Sequence, residues 1–415
     1  MQRLVSRIAV RTRAVAMAAA VGAAGLLAGC SGSTLGEFQG YPSDPNAGTP
    51  PVTADTIGTG TVRVGLLLPM SSGGGAPGLP NSPGAQPPAT SVGQVFRNAA
   101  QLALSDFQGA DIQILVKDTG GTSEGARTAA QDAIADGAEL IIGPVFAPAV
   151  GGAGSVARSS GIPVVAFSSD SSVASRGVYL LSFLPQTDVE RIVSFAGSQG
   201  RRSFAALLPE DAYGAVVEAV FRQEVGKLGA RIITIERYKP NDADDLRAKA
   251  QAIAAQAGNI DTLYVPAGGS VPGFVAQVMQ SGAHLSQVKM IGSGQWDSPE
   301  VQNTGLLAGA WYPGPDASGF QAFADRYQQN FGSRPPRNAT LAYDATILAA
   351  GLVRSAGPSR FTDRVLTNRD GFLGIDGVFR FLPNGLNQRG LAVYEVTGTG
   401  ARAVDPAPRS FGSAS

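Results

Sequence analysis

Residues Glu139 to Ser172, ELIIGPVFAPAVGGAGSVARSSGIPVVAFSSDSS, hold two short apolar runs, Glu139 to Ile142 and Ile162 to Phe167. Each stops abruptly in Gly, Pro or Ser, and a helical segment of small residues lies between them. Because the runs are apolar on consecutive residues instead of alternating, they read as strands of a parallel sheet buried on both faces, and the whole stretch reads as one βαβ unit. In open sheets of this kind ligands sit beyond the carboxyl ends of the strands. Those ends carry Gly143, Pro144, Phe146 and the hydroxyl run Ser168, Ser169, Ser171 and Ser172. The stretch predicts half of a ligand cleft.

The same alternation runs along the chain. Thr61 opens VRVGLLLPMSS, Ser91 to Phe107 has apolar residues at helical spacing, Ile112 to Val116 is a strand and Thr122 to Asp136 a helix. Leu180 to Phe183 completes a first α/β lobe. A second begins with a helix from Thr187, a strand at Phe204 to Leu208, a helix from Tyr213 to Leu228 and a strand at Arg231 to Arg237. A helix from Asn241 to Ala257 follows, with Asn241 as its N-cap. Strands at Leu263 to Val265 and Val288 to Ile291 flank a helix around Phe274 to Gln280. Phe320 to Arg369 is helical, and Gly377 to Phe381 and Leu391 to Val396 are strands about an Asn384-Gly385 turn.

The fold class is α/β, with two Rossmann-like lobes joined by a hinge of three crossings near Pro185, Pro313 and Gly371 to Gly374. Lobe one takes residues 61–184 and 313–372, lobe two 185–312 and 373–398, and 399–415 is a disordered tail. Residues 31–60, rich in Gly, Ser, Thr and Pro, form a flexible tether with a reach of roughly 30 Å. Gly73 to Thr90, equally poor in apolar residues, is either a tolerated insertion or a lid.

Residues 1–30 are a processing signal: Arg3, Arg7, Arg11 and Arg13 precede an apolar segment from Ala14 to Ala28. Leu27-Ala28-Gly29-Cys30 resembles the lipobox of bacterial lipoproteins, which implies acylation of Cys30, the single cysteine of the chain. The membrane is then met through the lipid anchor only. Ser31 in place of Asp after it favours the outer membrane over the inner one by resemblance to proteobacterial sorting rules. Lys plus Arg equals Asp plus Glu at 32 each, and aromatic residues make up 7% with no basic stripe, so nucleic-acid binding is excluded.

VRVGLLLPMS, DTGGT, GAELIIGPVFAPAV, GIPVVAFSSD, DAYG and LAYDATILAA, in that order, resemble the type I periplasmic binding proteins, the leucine-binding-protein family, over roughly residues 61–397. FSSD, IGSGQW and GFLGIDGVFRFLPNG look closest to the LppC/YraM-type lipoproteins, a branch that includes outer-membrane activators of penicillin-binding proteins. The resemblance implies closure of two lobes around a small ligand. Its lobe-one contacts map onto Phe146 and Ala147 at a helix start, and onto Ser168, Ser169 and Asp170. From lobe two it implies Tyr213 in DAYG, then Ala267, Gly268, Gln295 and Trp296 at later strand ends. Free amides at a helix start satisfy a ligand carboxylate without a cationic side chain. Ser168 to Ser172 also fit a turn and a cap, and Tyr213 and Trp296 also fit plain packing. Amino-acid-binding relatives pair the ligand ammonium with a lobe-two carboxylate, and here IGSGQW offers Gln295 and only then Asp297.

No enzyme is indicated. The single histidine, His284, has no Cys or acidic cluster at ligand spacing, so no metal site is expected. Gly152, Gly154 and Ala157 fall inside a helix instead of after a strand, and no other cofactor motif is present. Asp118-Thr119 reads as a helix cap. Two functions from different classes follow. One is capture of a small polar or amino-acid-like solute for an ABC permease, and the other is a lipoprotein that docks on a peptidoglycan synthase.

Overall fold

The computed structural model describes residues 55–71, 91–282 and 286–411. The leader with Cys30, residues 31–54 of the tether, the Gly73 to Thr90 stretch and His284 lie outside these residues, whereas residues 55–60 run along the first lobe, with the Val116 amide donating to the Asp55 carbonyl and the Gly60 amide to the Ile112 carbonyl.

There β1 (Thr56–Ile57) pairs antiparallel with β3 (Ile112–Asp118) and buries Ile57, which corrects the tether boundary. One isoleucine beside free strand groups suffices to dock a short edge. The first sheet adds β2 (Val62–Leu68), β4 (Ala138–Ile142), β5 (Val164–Ala166) and β6 (Val178–Leu180) in the order β1-β3-β2-β4-β5-β6, parallel throughout except for β1. Helices α1 (Val92–Asp106), α2 (Ser123–Ala135) and α3 (Ala147–Ser159) connect its strands. The apolar stripe of α1 buries Val95, Phe96, Ala99, Leu102 and Ala103, with the Phe96 ring 5.0 Å from Phe167.

The second sheet has the order β16-β15-β11-β10-β9-β7-β8. Its parallel part is built from α4 (Pro185–Ser198), β7 (Ser203–Pro209), α5 (Ala212–Lys227), β8 (Arg231–Tyr238), α6 (Ala243–Ala254), β9 (Thr262–Tyr264), α7 (Val271–Ser281), β10 (Lys289–Ile291), α8 (Pro299–Gln302) and β11 (Trp311–Gly314). The N-cap of α6 is Asp242, which accepts the Asp245 amide, and not Asn241, whose φ of 65° places it in the turn before the helix.

The chain then returns to the first lobe. Helices α9 (Ala317–Phe331) and α10 (Ala339–Ala356) bury Phe323, Tyr327 and Leu341 in one core with Val64, Leu66 and Phe96, and α11 (Asp363–Leu366) adds Leu366. A small sheet of β12 (Phe372–Gly374), β13 (Gly377–Phe381) and β14 (Asn387–Arg389) follows. It overturns the expected placement of Gly377 to Phe381 with lobe two. Phe379 and Phe381 pack in the first-lobe core, the latter 5.3 Å from Tyr179, so the last crossing falls at Gly390-Leu391 instead of Gly371 to Gly374. β15 (Ala392–Val396) joins the second sheet, and β16 (Ala401–Asp405) pairs with it antiparallel. That strand corrects the expected disorder of 399–415: Arg191 reaches Asp405 at 2.7 Å and holds the edge in place.

The first lobe carries a buried carboxylate with a measurable consequence. Asp344 on α10 accepts the Ile375 amide at 2.8 Å through one oxygen while the other has no protein partner. Burial, with the Asp376 charge nearby, pushes its carboxyl up to about 7. An acid whose folded pKa exceeds its unfolded value contributes stability that is full below about pH 4 and is lost as pH rises through 7. Asp188 on α4 is pushed to about 7 as well. Urea midpoints of the wild type should therefore fall between pH 5 and pH 8, and Asp344→Asn should remove roughly half of that fall. An unaltered slope in the variant would rule out Asp344 as its source.

Candidate functional site

In sheet one the strand order reverses between β2 and β4, and in sheet two between β7 and β9. Such reversals open the crevice in which α/β sheets bind ligands. Every ligand-binding candidate from the sequence lies on a loop at the carboxyl end of a strand or at the helix start that follows one.

On lobe one, Gly143 leaves β4 with φ 87° and a Cβ position 2.3 Å from the Leu67 carbonyl, which no other residue tolerates. This close turn delivers Phe146, the N-cap of α3. Phe146 has no capping side chain, and Pro148 carries no N–H, so the amides of Ala147 and Ala149 form the open end of the helix. The adjoining loop is tied on by the Phe167 amide donating to the Pro144 carbonyl at 2.9 Å. Ser168 is buried and its hydroxyl accepts the Asp170 amide at 3.1 Å, while Asp170 accepts the Ser172 amide at 2.9 Å. Turn and cap therefore employ Ser168 and Asp170, and Ser169 is the half-buried hydroxyl beside them. Asp118 does not cap a helix. Its carboxylate accepts the Met70, Ser71 and Gly120 amides, and Thr122 caps α2.

On lobe two the five candidates converge in one knot. The Gly268 amide donates to Gln295 Oε1 at 3.1 Å, and a Cβ on Gly268 would stand 2.8 Å from the Gln295 carbonyl. Ser293 donates to Pro266 and accepts the Gln295 amide. Tyr213, in the first turn of α5, has Ser293 and Gln295 beside its hydroxyl, and burial pushes its phenol up so that it stays protonated. Trp296 is different. It is fully buried, its indole N–H donating to the carbonyls of Val265 and Ala267 at 3.0 Å each, and it offers a solute no surface in this conformation.

Sequence reasoning missed the charged member of this wall. Asp188, in the first turn of α4, accepts the Gly294 amide at 2.9 Å, and no cation offsets its burial, which is what lifts its carboxyl. Near it are two buried polar atoms with no protein partner, the Tyr264 hydroxyl and, in the same helical turn, Gln186 Oε1. Asp188 looks like an ordinary first-turn acid in the sequence. Only the packing of α4 against the loop after β10 makes it part of the site.

Among the described residues no group of His, Cys, Asp and Glu is placed to hold a metal ion, and no helix is long and apolar enough to cross a membrane. A profile described as periplasmic binding protein matches residues 61–401. The chain belongs to the periplasmic binding protein family. Solved structures similar to this periplasmic binding protein agree with its two-lobed fold. A Rhodospirillum rubrum protein assigned to branched-chain amino acid ABC transport is 20% identical with a TM-score of 0.70, covering 83% of this chain and 99% of its own. A Desulfitobacterium hafniense ABC transporter substrate-binding protein in complex with Leu is 17% identical, TM-score 0.57, covering 83% and 99%. A Rhodopseudomonas palustris solute-binding protein in complex with 3,4-dihydroxybenzoic acid is 19% identical, TM-score 0.55, covering 84% and 98%. No curated protein matches the chain. The synthase-activator reading gains no support from these matches.

Proposed function

We propose that this periplasmic binding protein is a non-enzymatic receptor that captures a small amino-acid-like solute between its lobes for an ABC permease. The observation that carries the reading is Asp188, a half-buried acid with one amide bond and no cationic partner. A half-buried carboxylate in that state is completed by a donor, and a ligand ammonium is the strongest one available. The open amides of Ala147 and Ala149 complement a ligand carboxylate on the other lobe. A zwitterion carries a charge of the right sign for each end. Asp188 thus supplies the lobe-two charge that Gln295 lacks.

The direct test is thermal unfolding of refolded protein against a panel of amino acids, small peptides and aromatic acids. A ligand at 100 times its Kd adds about 2.7 kcal/mol and raises the midpoint by several degrees. A panel in which no amine-bearing compound shifts the midpoint would count against the reading. The receptor is held at the membrane by acylation of Cys30, the reading that Leu27-Ala28-Gly29-Cys30 supports. Cys30→Ala should move the protein from the membrane pellet to the soluble fraction, since two or more acyl chains are needed for stable anchoring. Retention of the variant in the pellet would exclude that anchor.

A further inference from the structure

Arg337 stands between α9 and α10, the helices that complete the lobe-one core. Its guanidinium forks: one nitrogen donates to Asp376 at 2.7 Å and the other to Asp297 at 2.9 Å, with the Phe320 ring 4.7 Å beneath. Asp376 is fully buried and also accepts the Thr340 hydroxyl, so this end of the fork is fixed. Asp297 directly follows Trp296 in the lobe-two wall, and Gln302 braces it at 3.0 Å while bonding the Tyr312 hydroxyl at 2.8 Å. Among the described residues, Arg337–Asp297 is the ion pair that joins the two lobes.

We propose that the Arg337–Asp297 pair is a latch that holds the lobes at the spacing seen here, one residue from the ligand-binding loop. Domains that close by hinge motion move as rigid bodies. Arg337 is held in lobe one by Asp376 and the Phe320 ring and Asp297 is braced within lobe two, so a change in lobe spacing must break or turn this pair. Its side chains are 22% and 29% exposed, so water screens it less than a free surface pair. The latch needs no ligand and stands whichever solute the cleft takes.

The test places spin labels on the full chain through Glu124→Cys on α2 and Asp244→Cys on α6, both exposed, with Cys30→Ser removing the native thiol. Without ligand, the parent should show one dominant interlobe distance. Asp297→Asn keeps an acceptor for Gln302 and should add a second distance, with the ratio of conformers changed roughly fivefold. Arg337→Lys keeps a charge for Asp376 but loses the fork, and should add the same second distance. Salt at 1 M should shift the parent toward the variants and leave Asp297→Asn unmoved. A distance distribution unchanged in both variants, with near-UV circular dichroism showing both folded, overturns the latch.

Discussion

Trp296→Ala is expected to lower the free energy of unfolding by about 3–5 kcal/mol, the range for deleting a large buried aromatic. The ring lies in the lobe-two core with Val265, Met290 and Val301, and a Cβ on Gly292 would sit 2.2 Å from it, so no neighbour can close the gap without moving a strand end. The substitution also strands the Val265 and Ala267 carbonyls that the indole N–H satisfies. Trp296→Phe separates the two effects. It restores most of the volume without the donor and should cost about 1–3 kcal/mol. Urea unfolding measures both. If Trp296→Ala left the urea midpoint within experimental error while abolishing solute binding, the ring would belong to the ligand surface instead.

The two roles open for Trp296 in the sequence show where sequence reasoning stops. Continuous apolar runs such as Val64 to Leu68 and Leu140 to Ile142 announce parallel strands, because no half-exposed strand can afford them, and the loops at their ends are then candidate cleft loops. That logic singles out the loops proposed as the two walls. It does not say which side of a loop a ring turns to, and IGSGQW reads the same with the indole facing solvent or core.

Lobe membership failed for a related reason. Phe379 and Phe381 alternate with Arg380 as strand residues should, but alternation identifies a buried face without naming the core it meets, and Tyr179 lies some 200 positions away in the chain. Asp188 is a third case. Its partner, the Gly294 amide, is 106 residues distant, and nothing local distinguishes it from the acids that begin other helices.

Asp188→Asn should weaken binding of an amine-bearing solute by about 100-fold, the loss typical when one partner of a desolvated charge pair is truncated. The asparagine keeps an acceptor for the Gly294 amide, so the fold should survive; at pH 8, where the wild type must hold an unpaired charge, the ligand-free variant should be the more stable. The pH dependence tests the charge itself. With a carboxyl near 7 in the free protein, the ionised fraction rises from about a tenth at pH 6 to about nine-tenths at pH 8. An ammonium selects the ionised form, so affinity should tighten nearly tenfold over that interval and a proton should be released on binding. In the variant that dependence should vanish. A ligand that is only an anion, such as an aromatic carboxylate, would be repelled by ionised Asp188 and bind more weakly as pH rises. Calorimetry at pH 6 and pH 8 therefore assigns the ligand's charge by the sign of one change in affinity, and tightening toward pH 6 would remove Asp188 as an ammonium partner.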